Sequence, residues 1–346
     1  MHIINRGFGA SVAWVMAALG AALFAMPASA ESTLDAVKKR GQLICGVNGQ
    51  APGFSLFNAV KEWQGLDVDL CRAVAAAVLG DAKKVKYVPV TAQQRFQVLE
   101  AGEIDVLARN STVTLQRDAG LKVTYAAINY FDGQAFVVPS KLNVKSLALL
   151  GGATICFTRG TTHEANMMNW FRVRKMTVMP LGFDTPDAMF DAFLASRCAA
   201  VTQDATALAA ALVRRGKTEG YTMLNDIISK EPLGPYVRDN DSAWREVVRW
   251  THYAMLEAEE RDITRANVDQ ERRSADQEVR LFLGVVPGNG KALGLDEDWA
   301  YNIVKQVGNY SESYERNLGM GSSLKLGRRI NALWNQGGQM YPPPLR

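Results

Sequence analysis

The chain has 346 residues, a formal charge of +4, four cysteines and three histidines. Its length exceeds one typical domain and allows two hydrophobic cores in domains of roughly 100 to 200 residues each. The basic excess is small and evenly spread, which argues against nucleic acid as a partner. With three histidines and no Cys-x-x-Cys, the composition also disfavours a metal site.

The first 30 residues carry His2 and Arg6, an apolar run over residues 10–25, and the small-residue ending Ala28-Ser29-Ala30. This is the order of a secretory signal peptide, residues 1–30, with cleavage after Ala30. As a membrane anchor the run falls short of the about 20 apolar residues a spanning helix needs. No later run is long enough, so the mature chain is expected to be soluble outside the cytoplasm. Export favours disulfides among Cys45, Cys71, Cys156 and Cys198. Local pairing, Cys45 with Cys71 and Cys156 with Cys198, puts one bridge in each lobe; buried free thiols are the alternative.

The mature chain opens with a helix, STLDAVKKRG, capped by Ser32 or Thr33 and stopped by Gly41. The strand QLICGV and the loop NGQAPGFSLF follow. GLDVDLCRAVAAAVLG has the helical apolar spacing and ends at Gly80; KVKYVPV is the next strand. Residues 91–102 form a helix with a capping-box pattern at Thr91 and Gln94, leading into the strand IDVLAR. Alternating strands and helices build a parallel sheet.

A second lobe repeats the plan. ATICF is a strand, and the helix of GTTHEANMMNWF starts at Thr161 with Glu164 completing a capping box. TVMPL is a strand, TPDAMFDAFLAS a helix with Thr185 at its cap and Pro186 at its first position, and CAAVTQD a strand. Laid on TAQQRFQVLEAGEIDVL, the segment TPDAMFDAFLASRCAAV puts Phe190 at the offset of Phe96, Phe193 at that of Leu99 and Ser196 at that of Gly102. Crossings between lobes are expected near residues 131–139 and 230–238, where Pro232, Gly234 and Pro235 interrupt any helix. DSAWREVVRWTHYAMLEAEE then returns as an amphipathic helix with Trp244, Val247, Val248, Met255 and Leu256 on its apolar side. The expected division is a signal peptide at 1–30, a first lobe at 31–131, a second at 132–235, and a return helix with a C-terminal extension at 236–346 packed outside the first lobe.

The stretch DVLARNSTVTLQR carries the chemistry. A free amino acid bears a carboxylate and an ammonium on one carbon, so a receptor needs a cationic fork, neutral donors and an opposing acid. Arg117 supplies a planar fork and Asn110 and Thr112 supply donors, at the carboxyl end of a strand where open parallel sheets bind ligands. A surface arginine paired with Asp118 is the competing reading of Arg117. Across the cleft, Gly160, Thr161 and Thr162 open a helix whose free N–H groups suit the same carboxylate; a plain cap competes. Asp204, ending CAAVTQD, would take the ammonium, or cap the following helix, or both. Arg95 and Arg109 are further cations for a side-chain carboxylate or amide, with a structural salt bridge the alternative for Arg109. His163 and His252 read as incidental, and no Gly-x-Ser-x-Gly, His-Glu-x-x-His or Walker loop is present.

These residues, with LICGVNGQAPGFS, GTTHE, ISKEPLGPYVR, RWTHYAMLEAEE, NVDQ, LGLDEDWAYNIVKQVGNY, ERNLG, INALWNQGG and MYPPPLR, make the chain resemble the amino-acid-binding family of periplasmic solute-binding proteins over residues 31–346. The resemblance implies an α/β, two-lobed periplasmic-binding-protein fold, each lobe a sheet flanked by helices, with two crossing segments. It places Asn110, Thr112 and Arg117 around the ligand carboxylate, Thr161 and Thr162 opposite, and Asp204 on the ammonium. In acidic-amino-acid binders of this group an arginine matching Arg95 meets the side-chain carboxylate. Relatives often carry an aromatic residue beneath the ligand in the first loop; here Gln50 stands in its place, with Phe54 nearby.

The expectation is therefore a monomeric extracytoplasmic receptor that delivers L-amino acids, polar and acidic ones favoured, to the permease of an ABC importer. It uses no cofactor. A dehydratase on the same fold would need a general acid or base, and no His or Glu is expected in the cleft. A sensor domain would need a transmembrane or signalling segment after the lobes, and none precedes Arg346.

Overall fold

The computed structural model describes residues 1–2, 32–58 and 60–345. The expected signal peptide's apolar run and cleavage point lie outside the described residues. Among those described, no helix is long and apolar enough to cross a membrane.

Two sheets organise the chain. The first runs in the order Val85–Pro89, Leu43–Val47, Val106–Thr112, Glu231–Arg238, Val123–Tyr125, with Tyr130–Asp132 also on Glu231–Arg238. Its first three strands are parallel, with Cys45 opposite both Tyr87 and Val106, because the helices Leu66–Leu79 and Arg95–Glu100 carry the chain back between them. The second sheet runs Met179–Phe183, Thr154–Thr158, Ala200–Asp204, Gln134–Pro139, Tyr221–Met223. Both belong to one compact unit, Ser32–Arg346.

Neither sheet is wholly parallel, as the alternation of elements implied. Glu231–Arg238 runs antiparallel to Val106–Thr112, Val123–Tyr125 and Tyr130–Asp132, and Gln134–Pro139 runs antiparallel to Ala200–Asp204. Pro232 and Pro235 do exclude a helix, yet they serve a strand through their carbonyls, which accept from Val113 N (2.7 Å) and Ala126 N (2.9 Å). The pairing shifts register between Gly234 and Tyr236, stepping past Pro235. The chain leaves the first sheet after Asp132 and returns to it at Glu231.

Local chemistry explains the elements. Ser32 caps Thr33–Arg40 by accepting from Asp35 N, and Gly41 closes it in the left-handed region. Leu66–Leu79 is apolar on nearly every side and is buried between the sheet and later helices. The stretch 48–57, expected to be loop, contains two strands of a small antiparallel sheet, Gln50–Ala51 and Ser55–Phe57, completed by Trp63–Gln64. The repeat between lobes extends to backbone shape: Gly102 and Ser196 both have positive φ, 76° and 61°, and Leu99, Phe190 and Phe193 are all buried. Thr91 accepts from Gln94 N (3.2 Å), but residues 92–94 are a turn and the helix starts at Arg95.

Cys45 is bonded to Cys71 and Cys156 to Cys198, each bridge staying beside one sheet. Ser242–Glu260 places Trp244, Val247, Val248, Met255 and Leu256 in the first sheet's core. The C-terminal extension does not merely pack outside. Trp299, Ile303, Tyr310 and Tyr314 are buried in that same core.

Candidate functional site

The eight residues singled out in the sequence line one narrow cavity, partly open to solvent. Arg109, Asn110 and Thr112 come from the strand Val106–Thr112, Arg117 from the short helix after it, and Arg95 from Arg95–Glu100. Thr161, Thr162 and Asp204 come from the carboxyl ends of two strands in the second sheet. Asn48, Gln203 and His163 complete much of the wall.

On the first side, Thr114 caps the Leu115–Gly120 helix and so sets the position of Arg117. Arg117 Nη1 donates to the Thr112 carbonyl (2.8 Å), which fixes the guanidinium against the strand end. The Phe96 ring lies 4.7 Å from Arg95 and 5.5 Å from Arg117, a shared cation–π face. Asn110 adopts φ 35°. Its N–H donates to the buried Asp67 carboxylate (2.7 Å), which holds that uncommon conformation. Arg109 Nε donates to the Val90 carbonyl (2.8 Å); Asp67, not a direct salt-bridge partner, attracts it from behind.

On the second side the expected capping box does not form. Thr161 Oγ1 turns back to donate to the Thr158 carbonyl (2.6 Å), and the helix begins at His163 with Thr162 in the cap position making no side-chain cap. Thr162 Oγ1 donates instead to Glu231 Oε2 (2.9 Å). Asp204 likewise occupies a cap position without capping. Its Oδ1 is hydrogen-bonded to His163 Nε2 at 2.9 Å, with both side chains buried. His163 is thus part of the cavity wall, not incidental.

Burial pushes all three guanidiniums below the ordinary arginine range. Arg95 lies well below it, with Arg109 and Arg117 repelling it further. Arg109 falls to about 10 despite Asp67, and Arg117 falls despite Tyr236, Glu231 and Asp204. Arginine stays charged in proteins, and the lowering comes first from burial, a cost that an anionic group of a ligand would offset. Three cations line the cavity against the single carboxylate of Asp204. Buried Arg95 Nε has no hydrogen-bond partner, while Arg95 Nη2 donates across the cleft to the Gly160 carbonyl (3.1 Å).

Glu231 was not legible in the sequence as a site residue. It is buried, and its oxygens accept from Thr112 Oγ1 (2.6 Å), Thr162 Oγ1 (2.9 Å), Asn166 Nδ2 (2.9 Å) and Ser229 Oγ (2.5 Å). The expectation that the cleft holds no His or Glu is corrected by His163, which lines it; Glu231 lies behind the wall, on the hydroxyls of Thr112 and Thr162. Ligand-competent atoms of His163, Asp204 and Glu231 lie within 4.8 Å of one another. Four neutral donors already saturate the Glu231 carboxylate, so the group does not suit a metal ion. Gln50 and Phe54 do not line the cavity. Gln50 accepts from Asp187 N (3.5 Å), and Phe54 packs edge-on to Tyr130 (5.1 Å).

Two sheets flanked by helices, two adjacent crossings and a cavity between them define the two-lobed periplasmic-binding-protein fold. Residues 43–264 match the model of the bacterial extracellular solute-binding proteins, family 3, and the chain belongs to that family. It is 46% identical over 334 residues to the general L-amino acid-binding periplasmic protein AapJ of Rhizobium johnstonii, covering 95% of this chain and 98% of that one. It is 47% identical over 327 residues to the glutamate/glutamine/aspartate/asparagine-binding protein BztA of Rhodobacter capsulatus, covering 94% and 96%. A solved structure of an ABC transporter periplasmic binding protein from Brucella ovis with glutathione bound superposes with a TM-score of 0.88 at 45% identity, over 91% of this chain and 99% of that one.

Proposed function

We propose that the chain is a periplasmic receptor, exported by its leader at 1–30, that binds L-amino acids in the interlobe cavity and delivers them to the permease of an ABC importer. The lobes are residues 32–132 with 231–345, and residues 134–230. Three guanidiniums around one cavity, opposed by Asp204, carry the reading. Arg117 takes the α-carboxylate with the backbone N–H groups of Thr112 and Thr162, whose hydroxyls are committed to Glu231. Asn110 and Thr161 complete the polar wall. Asp204 takes the ammonium through its remaining oxygen, with His163 orienting the carboxylate. Arg95 and Arg109 then favour a ligand side chain that ends in a carboxylate or amide.

The relatives bind, by their names, general L-amino acids or glutamate, glutamine, aspartate and asparagine, which agrees with a broad polar and acidic range. The γ-glutamyl end of glutathione, the ligand of the Brucella structure, presents the same zwitterion. The receptor acts as a monomer without turnover; His163 is held by Asp204 and is not presented to a reacting atom. Calorimetry against the twenty amino acids and glutathione tests the reading. Acidic and amide amino acids are expected to bind at one site and to be recovered unchanged, whereas tight binding of one aliphatic amino acid alone would contradict it.

A further inference from the structure

Glu231 has a place in the molecule that ligand contact alone does not account for. It is 1% exposed and opens the strand Glu231–Arg238 opposite Asp132, so the two crossings lie side by side at this residue. Among the described residues it makes no salt bridge. Its four partners are neutral, and they divide by lobe: Thr112 belongs to the first and Thr162 and Asn166 to the second, while Ser229, two positions before Glu231 at the very end of the second, moves with the crossing. A buried carboxylate must have its lone pairs filled. Here that condition is met only while both lobes surround it.

We infer that Glu231 is a positioning residue that latches the closed cleft: one oxygen of its carboxylate accepts from the Thr112 hydroxyl of one lobe and the Thr162 hydroxyl of the other, and so ties the binding site's assembly to lobe closure. Glu231 is anchored in the first sheet, so hinge opening carries Thr162 and Asn166 away from it while Thr112 and Ser229 remain. Two charge-assisted hydrogen bonds are then exchanged for water. The ligand-free protein therefore populates a closed arrangement, and a ligand's apparent affinity contains the latch as a factor independent of its side chain. The effect on affinity rests on the amino-acid reading above; the effect on the ligand-free protein does not.

The test uses the full mature chain, its Glu231→Gln variant, and Asn166→Ala, which removes one second-lobe donor and leaves the buried carboxylate in place. Small-angle scattering without ligand is expected to give a larger radius of gyration for both variants than for the wild type, and the wild-type value for all three with saturating L-glutamate. Calorimetry is expected to show L-glutamate and L-glutamine weakened by the same factor, about tenfold in Glu231→Gln and less in Asn166→Ala. Unchanged ligand-free dimensions in both variants, or a loss confined to one ligand, would overturn the latch. If Glu231→Gln does not fold, Asn166→Ala carries both readouts. Should no amino acid bind even the wild type, the amino-acid reading falls while the ligand-free comparison still decides the latch.

Discussion

At the scale of single residues the cavity is governed by charge that its own walls do not balance. Removing Arg117 takes away the fork common to every α-carboxylate, so Arg117→Ala is expected to abolish binding of all amino acids in calorimetry; affinity kept within about tenfold would contradict its role, since a charged hydrogen bond contributes roughly 1.5–3 kcal/mol. Arg95 has a narrower assignment. Arg95→Gln is expected to weaken L-glutamate about tenfold more than L-glutamine, and equal losses would reassign it to holding the lobes through Gly160. Behind the cavity, burial raises Asp67 from 3.8 to about 6, against the pull of Asn110 N–H, Asn129 and Arg109. The folded protein holds that proton more tightly than the unfolded chain does. The stability linked to it is complete below pH 3.8 and is lost as pH rises through about 6. Unfolding free energies from urea denaturation should therefore fall across that window in the wild type relative to Asp67→Asn, by an amount on the order of 3 kcal/mol; parallel pH profiles would contradict the shift. These residues differ in how legible they were. Asn110, Thr112 and Asp204 could be placed because each stands at the end of an apolar strand, and Arg117 because it follows within one short turn of helix. Glu231 could not, because its partners are separated from it by up to 119 positions in the chain, and His163 looked like part of a helix start.

Among the elements, the parallel strands and their helices followed from alternation and stop signals, including the shared offset that places Gly102 and Ser196 in the same backbone shape. What composition could not reveal was direction. Glu231–Arg238 contains two prolines and a glycine, residues that mark interruption, and only its neighbours show that it is a central antiparallel strand. Gly234 is there for contact: a Cβ at this position would stand 2.0 Å from the Ala127 carbonyl oxygen. Gly234→Ala is accordingly expected to destabilise the fold by about 1–3 kcal/mol in chemical denaturation; a neutral result would show that the Ala127–Ile128 backbone can yield. The missed caps at Thr161 and Thr162 have one cause. Both hydroxyls donate to a nearby acceptor, Thr158 O for one and the Glu231 carboxylate for the other, instead of accepting from the helix N–H groups.

Over the whole molecule the two lobes differ in construction. Each sheet carries a cluster on both faces, but the first sheet's are unequal, a small one around Leu107 and Tyr236 and a large one into which the C-terminal extension inserts Trp299, Tyr310 and Tyr314, while the second sheet's two are of similar size. Sequence pattern located the extension but not its depth, since its helices are short and their aromatics gain meaning only from the helices they meet. The disulfides close loops of 26 and 42 residues, each of which removes chain entropy worth about 3–4 kcal/mol from the unfolded state. The central claim is that two halves of one molecule grip opposite charges of a single zwitterion. A crystal structure grown with L-glutamate measures this most directly. The account predicts the α-carboxylate on the Arg117 guanidinium and the ammonium within hydrogen-bond reach of Asp204, with the side-chain carboxylate toward Arg95 or Arg109; a ligand bound with Arg117 and Asp204 facing away from it would contradict the account.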